Sequence, residues 1–294
     1  MSENQNHNPI NTNVFLAELT QIILVLRNSI SKLLKENPDM EIRAYRTEWH
    51  IRGLVYHCQN LIKHYTDIGN SVVSRSNASP DMKPDVLIIY SPSCQYLMYE
   101  FYALVNLARI SLDNLIKLTA PLFITKSIPK SITDIKTGMT NCPIYERHSN
   151  DSLTKYLIDL RNCLVHYKTF ATSDNVYILK EGEKTIEETV DSELVSSFLG
   201  PMFRAIFRIT EQENIVFNIY IPDNIYKTSE DGNKVISEFT YEMKRNIVGY
   251  SMRFIRSIMF STLEAISYYK DRTKRFIYDK HGLEEKVAYI EFIS

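Results

Sequence analysis

In LIDLRNCLVHYKTF, residues 157–170, leucines recur at the spacing of one helix face while Arg161, Asn162 and His166 fall within six residues. At about 100° per residue, Leu153, Leu157, Leu160, Leu164 and Tyr167 form a single stripe, in the pattern of a bundle core. Asp159, Asn162 and His166 lie on roughly the opposite face, one or two turns apart. Arg161 stands to the side of Asn162, with a side chain long enough to swing toward it. Ile158 and Val165 flank this polar face, which suggests that a second subunit covers it. Ser149, Asn150 and Asp151 are the candidate N-caps of the helix.

Outward from this helix the chain reads as mainly α, a helical bundle with small β-hairpin insertions. Residues 1–12 are polar and expected to be a disordered tail. Apolar spacing predicts helices over 13–36, 40–70 and 93–122, the second followed by the connection SVVSRSNASPDMKPD. The stripe of the third includes Leu97, Phe101, Leu104, Leu112, Leu115 and Leu118. A long polar connection, ITKSIPKSITDIKTGMTNCPIYERHSND, leads into the motif helix. Beyond Phe170, NVYILKEGEKTIEETV predicts a hairpin and 192–210 a helix. NIVFNIYIPDN and KVISEFTYE predict a second strand pair, 241–271 a last long helix, and KVAYIEFIS a terminal strand. The domain expectation is a tail at 1–12, a helical pair at 13–75, and a bundle at 85–294 with a β insertion around 172–240. The pair is either separate or continuous with the bundle.

The formal net charge is −1, so attraction of nucleic acid would need a local basic patch. The N-terminus lacks the charged-then-apolar layout of a signal peptide. FLAELTQIILVL, the most apolar helical stretch, is short and carries Glu18, which reads against a membrane span. Four separated cysteines without a CxxC pair predict free thiols, a cytoplasmic setting and no zinc site.

An arginine five residues before a histidine is weak by itself. With 15 arginines and 7 histidines it should arise about 0.4 times by chance, and the chain has it twice. The other occurrence runs from Arg52 to His57, with Gly53 after the arginine. Asn162 and the helix phase separate the Arg161–His166 occurrence from that one.

Arg161, Asn162, Cys163, Leu164, Val165 and His166 resemble the motif of the HEPN superfamily (higher eukaryotes and prokaryotes nucleotide-binding). Ribonuclease members of that family carry Arg, a polar residue, three variable residues and His near one end of a late bundle helix. YEFYALVNLARISLDNLIKL, residues 99–118, resembles the family's earlier helix. The resemblance spans residues 90–170 and, by topology, 241–271. It implies a HEPN-like bundle and metal-independent RNA cleavage without a cofactor, in a toxin, toxin–antitoxin or anti-phage defence setting. It also implies a homodimer that joins two motif copies in one cleft. Arg161, His166 and Asn162 would then be catalytic. Tyr167 and Lys168, directly after the motif, would contact RNA. Lys126 and Lys130, flexible cations in the preceding connection, could grip an RNA backbone or simply keep that loop solvated. Some members carry a modifiable tyrosine two residues past the histidine. Here Lys168 holds that place and the tyrosine is Tyr167, so that regulation is not expected. The alternative implied function is a non-catalytic module that binds a nucleotide or a partner protein such as an antitoxin.

Other polar groups have plainer readings. Glu100 and Asp113 could orient Arg161 from the neighbouring helix, but capping or surface pairing fits them better. His50, His57 and His64 recur every seven residues, about 10.5 Å along a helix, too far to share a metal. They read as a helix-surface or packing stripe. Arg245, Arg253 and Arg256 read as a basic strip on the final helix.

Overall fold

The computed structural model describes residues 12–36, 41–77, 86–123, 131–134, 142–166, 175–180, 203–209, 215–230, 234–271, 274–278 and 285–289. Among the described residues six α-helices dominate: α1 (Thr12–Glu36), α2 (Glu41–Asn77), α3 (Pro92–Phe123), α4 (Pro143–Asn150), α5 (Ser152–His166) and α6 (Ile247–Asp271). Eight short strands are β1 (Val86–Tyr90), β2 (Asn175–Lys180), β3 (Arg204–Ile209), β4 (Ile215–Tyr220), β5 (Asn224–Glu230), β6 (Lys234–Thr240), β7 (Lys274–Tyr278) and β8 (Glu285–Tyr289). The fold is mainly α with small β elements, as the sequence predicts. The expected tail lies outside the described residues except for Thr12, which opens α1.

The residues divide into two compact units, each assembled from separated segments. The first takes those up to Tyr56, those of Asn106–Ile158 and those from Met252 onward. Its core joins Phe15, Leu19 and Leu26 of α1, Ile51 and Leu54 of α2, Leu112 and Leu115 of α3, and Phe254 and Ile258 of α6, all buried. Antiparallel packing of α2 on α3 shows in matched contacts. Arg43 Nη1 donates to the Lys117 carbonyl at 3.2 Å and His50 Nδ1 meets Asn114 Nδ2 at 2.5 Å. A Cβ on Gly53 would come 2.5 Å from Leu107 Cδ2, so glycine there lets the Leu107 side chain rest on the α2 backbone.

The second unit takes His57–Val105 and Asp159–Ser251. It holds a four-stranded sheet in the order β1-β2-β3-β4, with β2 and β3 parallel and the outer pairs antiparallel. Ile88 faces Tyr177, Leu179 faces Ile206, and Phe207 faces Phe217 in this register. Strands β5 and β6 form a separate antiparallel hairpin. Tyr65 and Asn246 tie the helices to the sheet. Tyr65 donates to the Phe217 carbonyl at 2.9 Å, and Asn246 Nδ2 donates to Asn218 Oδ1 at 3.0 Å. Asn246 Oδ1 also caps α6 by accepting from the Val248 and Gly249 amides.

Several expectations are corrected. Helix α2 runs to Asn77, seven residues past its predicted end. VLIIY, unassigned from sequence, is β1. The described part of the predicted 192–210 helix is strand β3. NVYILK pairs with β1 and β3 and not in a local hairpin, while 181–202 lies outside the described residues. IVFNIY of the first predicted strand pairs with β3, and KVISEFT pairs with β5. The long connection contains α4 and a 3₁₀ turn at Ile132–Asp134. The apolar stretch FLAELTQIILVL belongs to a 25-residue helix that, by length and composition, is long enough to cross a membrane. It buries Phe15, Leu19, Ile22, Leu26, Ile30 and Leu33 within the protein and leaves Val14, Leu24 and Val25 exposed.

Candidate functional site

Asp151 sets the motif helix. Its N–H closes α4 on the Arg147 carbonyl, and its carboxylate opens α5 by accepting from the Thr154 amide at 2.9 Å and the Leu153 amide at 3.3 Å. One of the three predicted caps is therefore in place. The helix buries Leu157, Leu160 and Leu164 as its stripe requires, and also Tyr156 and Cys163. Leu153 is only half-buried. The buried face is thus broader than a single leucine stripe.

Arg161 and Asn162 are half-buried, and Arg161 Nη1 donates to Asn162 Oδ1 at 3.4 Å. His166 closes the helix one turn after Asn162. Val165 is exposed at 37%, so it is available to a covering surface. Tyr167, Lys168, Lys126 and Lys130 lie outside the described residues.

Glu100 and Asp113 are engaged away from Arg161, which removes them as its orienting groups. Glu100 Oε2 stands 2.6 Å from His57 Nδ1, and its Oε1 accepts from Asn60 at 3.2 Å. Asp113 Oδ1 pairs with Arg109 at 2.5 Å and accepts the Ile132 amide at 2.8 Å. The three histidines of α2 each meet α3, as a packing stripe should. His64 Nδ1 stands 3.3 Å from Ser93 Oγ, and His50 and His57 have the partners given above.

The predicted basic strip is also corrected. Arg245 precedes α6, bonds Tyr250 Oη at 3.0 Å and stands 3.8 Å from the buried carboxylate of Asp223. Arg256 pairs with Glu18 and lies over the Phe15 ring although it stays exposed, and Arg253 is exposed as well.

Two neighbours of the motif helix had no sequence signal. Arg204 stacks over the Tyr241 ring at 4.6 Å, and Cys163 lies close enough to perturb that phenol. Burial raises the Tyr241 pKa, Arg204 opposes the rise, and Cys163 adds to it. Tyr241 opens the turn between β6 and α6. There Met243 adopts φ 57°, and Asp223 Oδ2 accepts the Glu242 amide at 2.5 Å.

A buried relay in the first unit also escaped the sequence reading. Thr154 Oγ1 donates to Asp151 Oδ2, and His148 stands 2.9 Å from both Thr154 Oγ1 and Ser261 Oγ. If Thr154 gives its proton to Asp151, then His148 Nδ1–H donates to Thr154 and Nε2 accepts from Ser261. Burial drives the His148 imidazole down to about 4. His148 and Ser261 are each 1% exposed and Thr154 is buried too, so the imidazole is sealed from substrate and serves the fold, while Asp151 at the end of the chain is half-buried.

All four cysteines are free and buried, and burial raises the Cys58 thiol to about 12, leaving it a poor nucleophile. Among the described residues no three metal-ligating side chains converge. An open pocket of about 370 Å³ is lined by Asn70, Ser71, Ser74, Arg75 and Ile89, none of them a candidate residue. No protein-family model, curated protein or solved structure matches this chain.

Proposed function

We propose that this chain is a metal-independent endoribonuclease of HEPN type, acting as a toxin or anti-phage effector through a homodimeric cleft. The observation that supports it is the pairing on α5 of half-buried Arg161, beside the leucine stripe, with half-buried Asn162, which lies away from that stripe one turn before His166. RNA brings its own nucleophile, so no metal is obligatory. The 2′-oxygen attacks the adjacent phosphorus, the P–O5′ bond breaks, and a 2′,3′-cyclic phosphate and a 5′-hydroxyl result. One His166 takes the 2′-hydroxyl proton, and the second, from the other copy, protonates the leaving 5′-oxygen. Arg161 holds the phosphate with paired donors and stabilises the added charge of the transition state. Asn162 orients the guanidinium it already contacts.

Near-neutral net charge favours a second reading, a non-catalytic module that binds a nucleotide or an antitoxin-like partner. Expression in a bacterial host separates the two. The enzyme reading expects growth arrest that His166→Ala and Arg161→Ala each relieve. Arrest that persists undiminished in both variants would remove the motif from the activity.

A further inference from the structure

The N-terminal half of α2 exposes Ile42 at 67%, Tyr45 at 51%, Trp49 at 75% and Tyr56 at 59%. Their steps of three, four and seven place them, with Arg46 and Arg52, on an arc about 120° wide. The opposite side of this helix segment is spent on the core, through Ala44, Thr47, Ile51 and Leu54. A large ring three-quarters exposed is costly in water unless something covers it.

Charge selects the occupant. Arg46 and Arg52 stand three residues before and after Trp49, one turn on either side of the ring. Among the described residues Arg46 has no ion-pair partner, and its charge helps burial to depress the pKa of nearby His50. Arg52 holds Glu48 at 2.7 Å yet keeps half of its side chain exposed. The other acid on this segment, Glu41, lies two turns before Trp49. A second copy of the face would bring two more arginines to this rim. A phosphate backbone would answer both, and its bases would cover the rings.

We infer that Tyr45, Trp49 and Tyr56, with Arg46 and Arg52, form a docking face for single-stranded RNA. The bases stack on the rings and the phosphates lie along the arginines. The choice of RNA as the strand rests on the endoribonuclease reading.

Trp49 is the only tryptophan, so its fluorescence reports the face directly. The probe is 2′-O-methyl oligouridine, which lacks the free 2′-hydroxyl and cannot be cleaved by the proposed route. It should quench Trp49 saturably. Tyr45→Ala should weaken binding about ten- to hundredfold. Arg46→Ala should make the slope of log affinity against log salt shallower by about 0.7. Both residues are exposed, so neither change threatens the core. Emission unchanged at saturating oligouridine overturns the inference. So does a Trp49 change that follows protein concentration without RNA, which would assign the face to a second copy. RNA cleavage with an unresponsive Trp49 would sink this face and leave the ribonuclease reading standing. Quenching without cleavage would do the reverse.

Discussion

At the scale of single residues, the burial of His148 predicts a loss of stability in acid. Its pKa falls from 6.5 to about 4 on folding because the folded protein buries it. The unfolded chain therefore takes a proton below pH 6.5, whereas the folded chain resists until about pH 4. Stability from this group is full above pH 6.5 and declines as the pH falls toward 4, by about 3 kcal/mol in all. Urea unfolding at pH 7 and pH 5 should show the loss. His148→Gln should shrink the difference between the two pH values by about 2 kcal/mol, and an unchanged difference would assign the acid response elsewhere. Sequence reading put His148 in a polar connection, because ERHSND offers no apolar periodicity around it. What buries it is Ser261, distant in sequence, on α6. Arg204 was hidden for the same reason: its neighbour Tyr241 is set by the sheet and the turn after it.

At the scale of elements, the helices were legible and the strand pairings were not. A helix states its buried face locally, so Leu157, Leu160 and Leu164 could be placed from spacing alone. Strand β1 pairs with β2 about ninety residues later, and nothing within VLIIY announces that partner. RAIFRI is short enough that its apolar run also fits a buried helix. For α4 the sequence does carry a signal: Pro143 sits at the helix start, where its missing N–H costs nothing. The joint between α4 and α5 carries a stability prediction. Asp151→Ala removes the cap of the motif helix and the acceptor for the Thr154 hydroxyl, at a cost of about 2 kcal/mol in urea unfolding at pH 7. Asp151→Asn keeps a capping oxygen and should lose less than half of that. Equal losses for the two variants would mean that the cap is not what Asp151 contributes.

At the scale of the whole molecule, each of the two compact units draws on separated segments of the chain. Residues from Asp159 onward in α5, with Arg161 and Asn162, belong to the second unit. The sealed His148 relay belongs to the first. A structural histidine and the proposed catalytic one are therefore assigned to different units, and their variants should separate cleanly. His148→Gln should change stability with cleavage intact below its unfolding range, while His166→Ala should abolish cleavage with stability intact.

Cleavage of RNA by Arg161 and His166 without a metal, as proposed, can be tested in a single assay. Its most direct measurement is incubation of the purified chain with single-stranded RNA in excess EDTA, followed by analysis of the product ends. The account predicts 2′,3′-cyclic phosphate and 5′-hydroxyl ends. It also predicts that Arg161→Ala and His166→Ala each lower the rate at least about a hundredfold. Cleavage abolished by EDTA, or cleavage that both variants sustain at the wild-type rate, would contradict it.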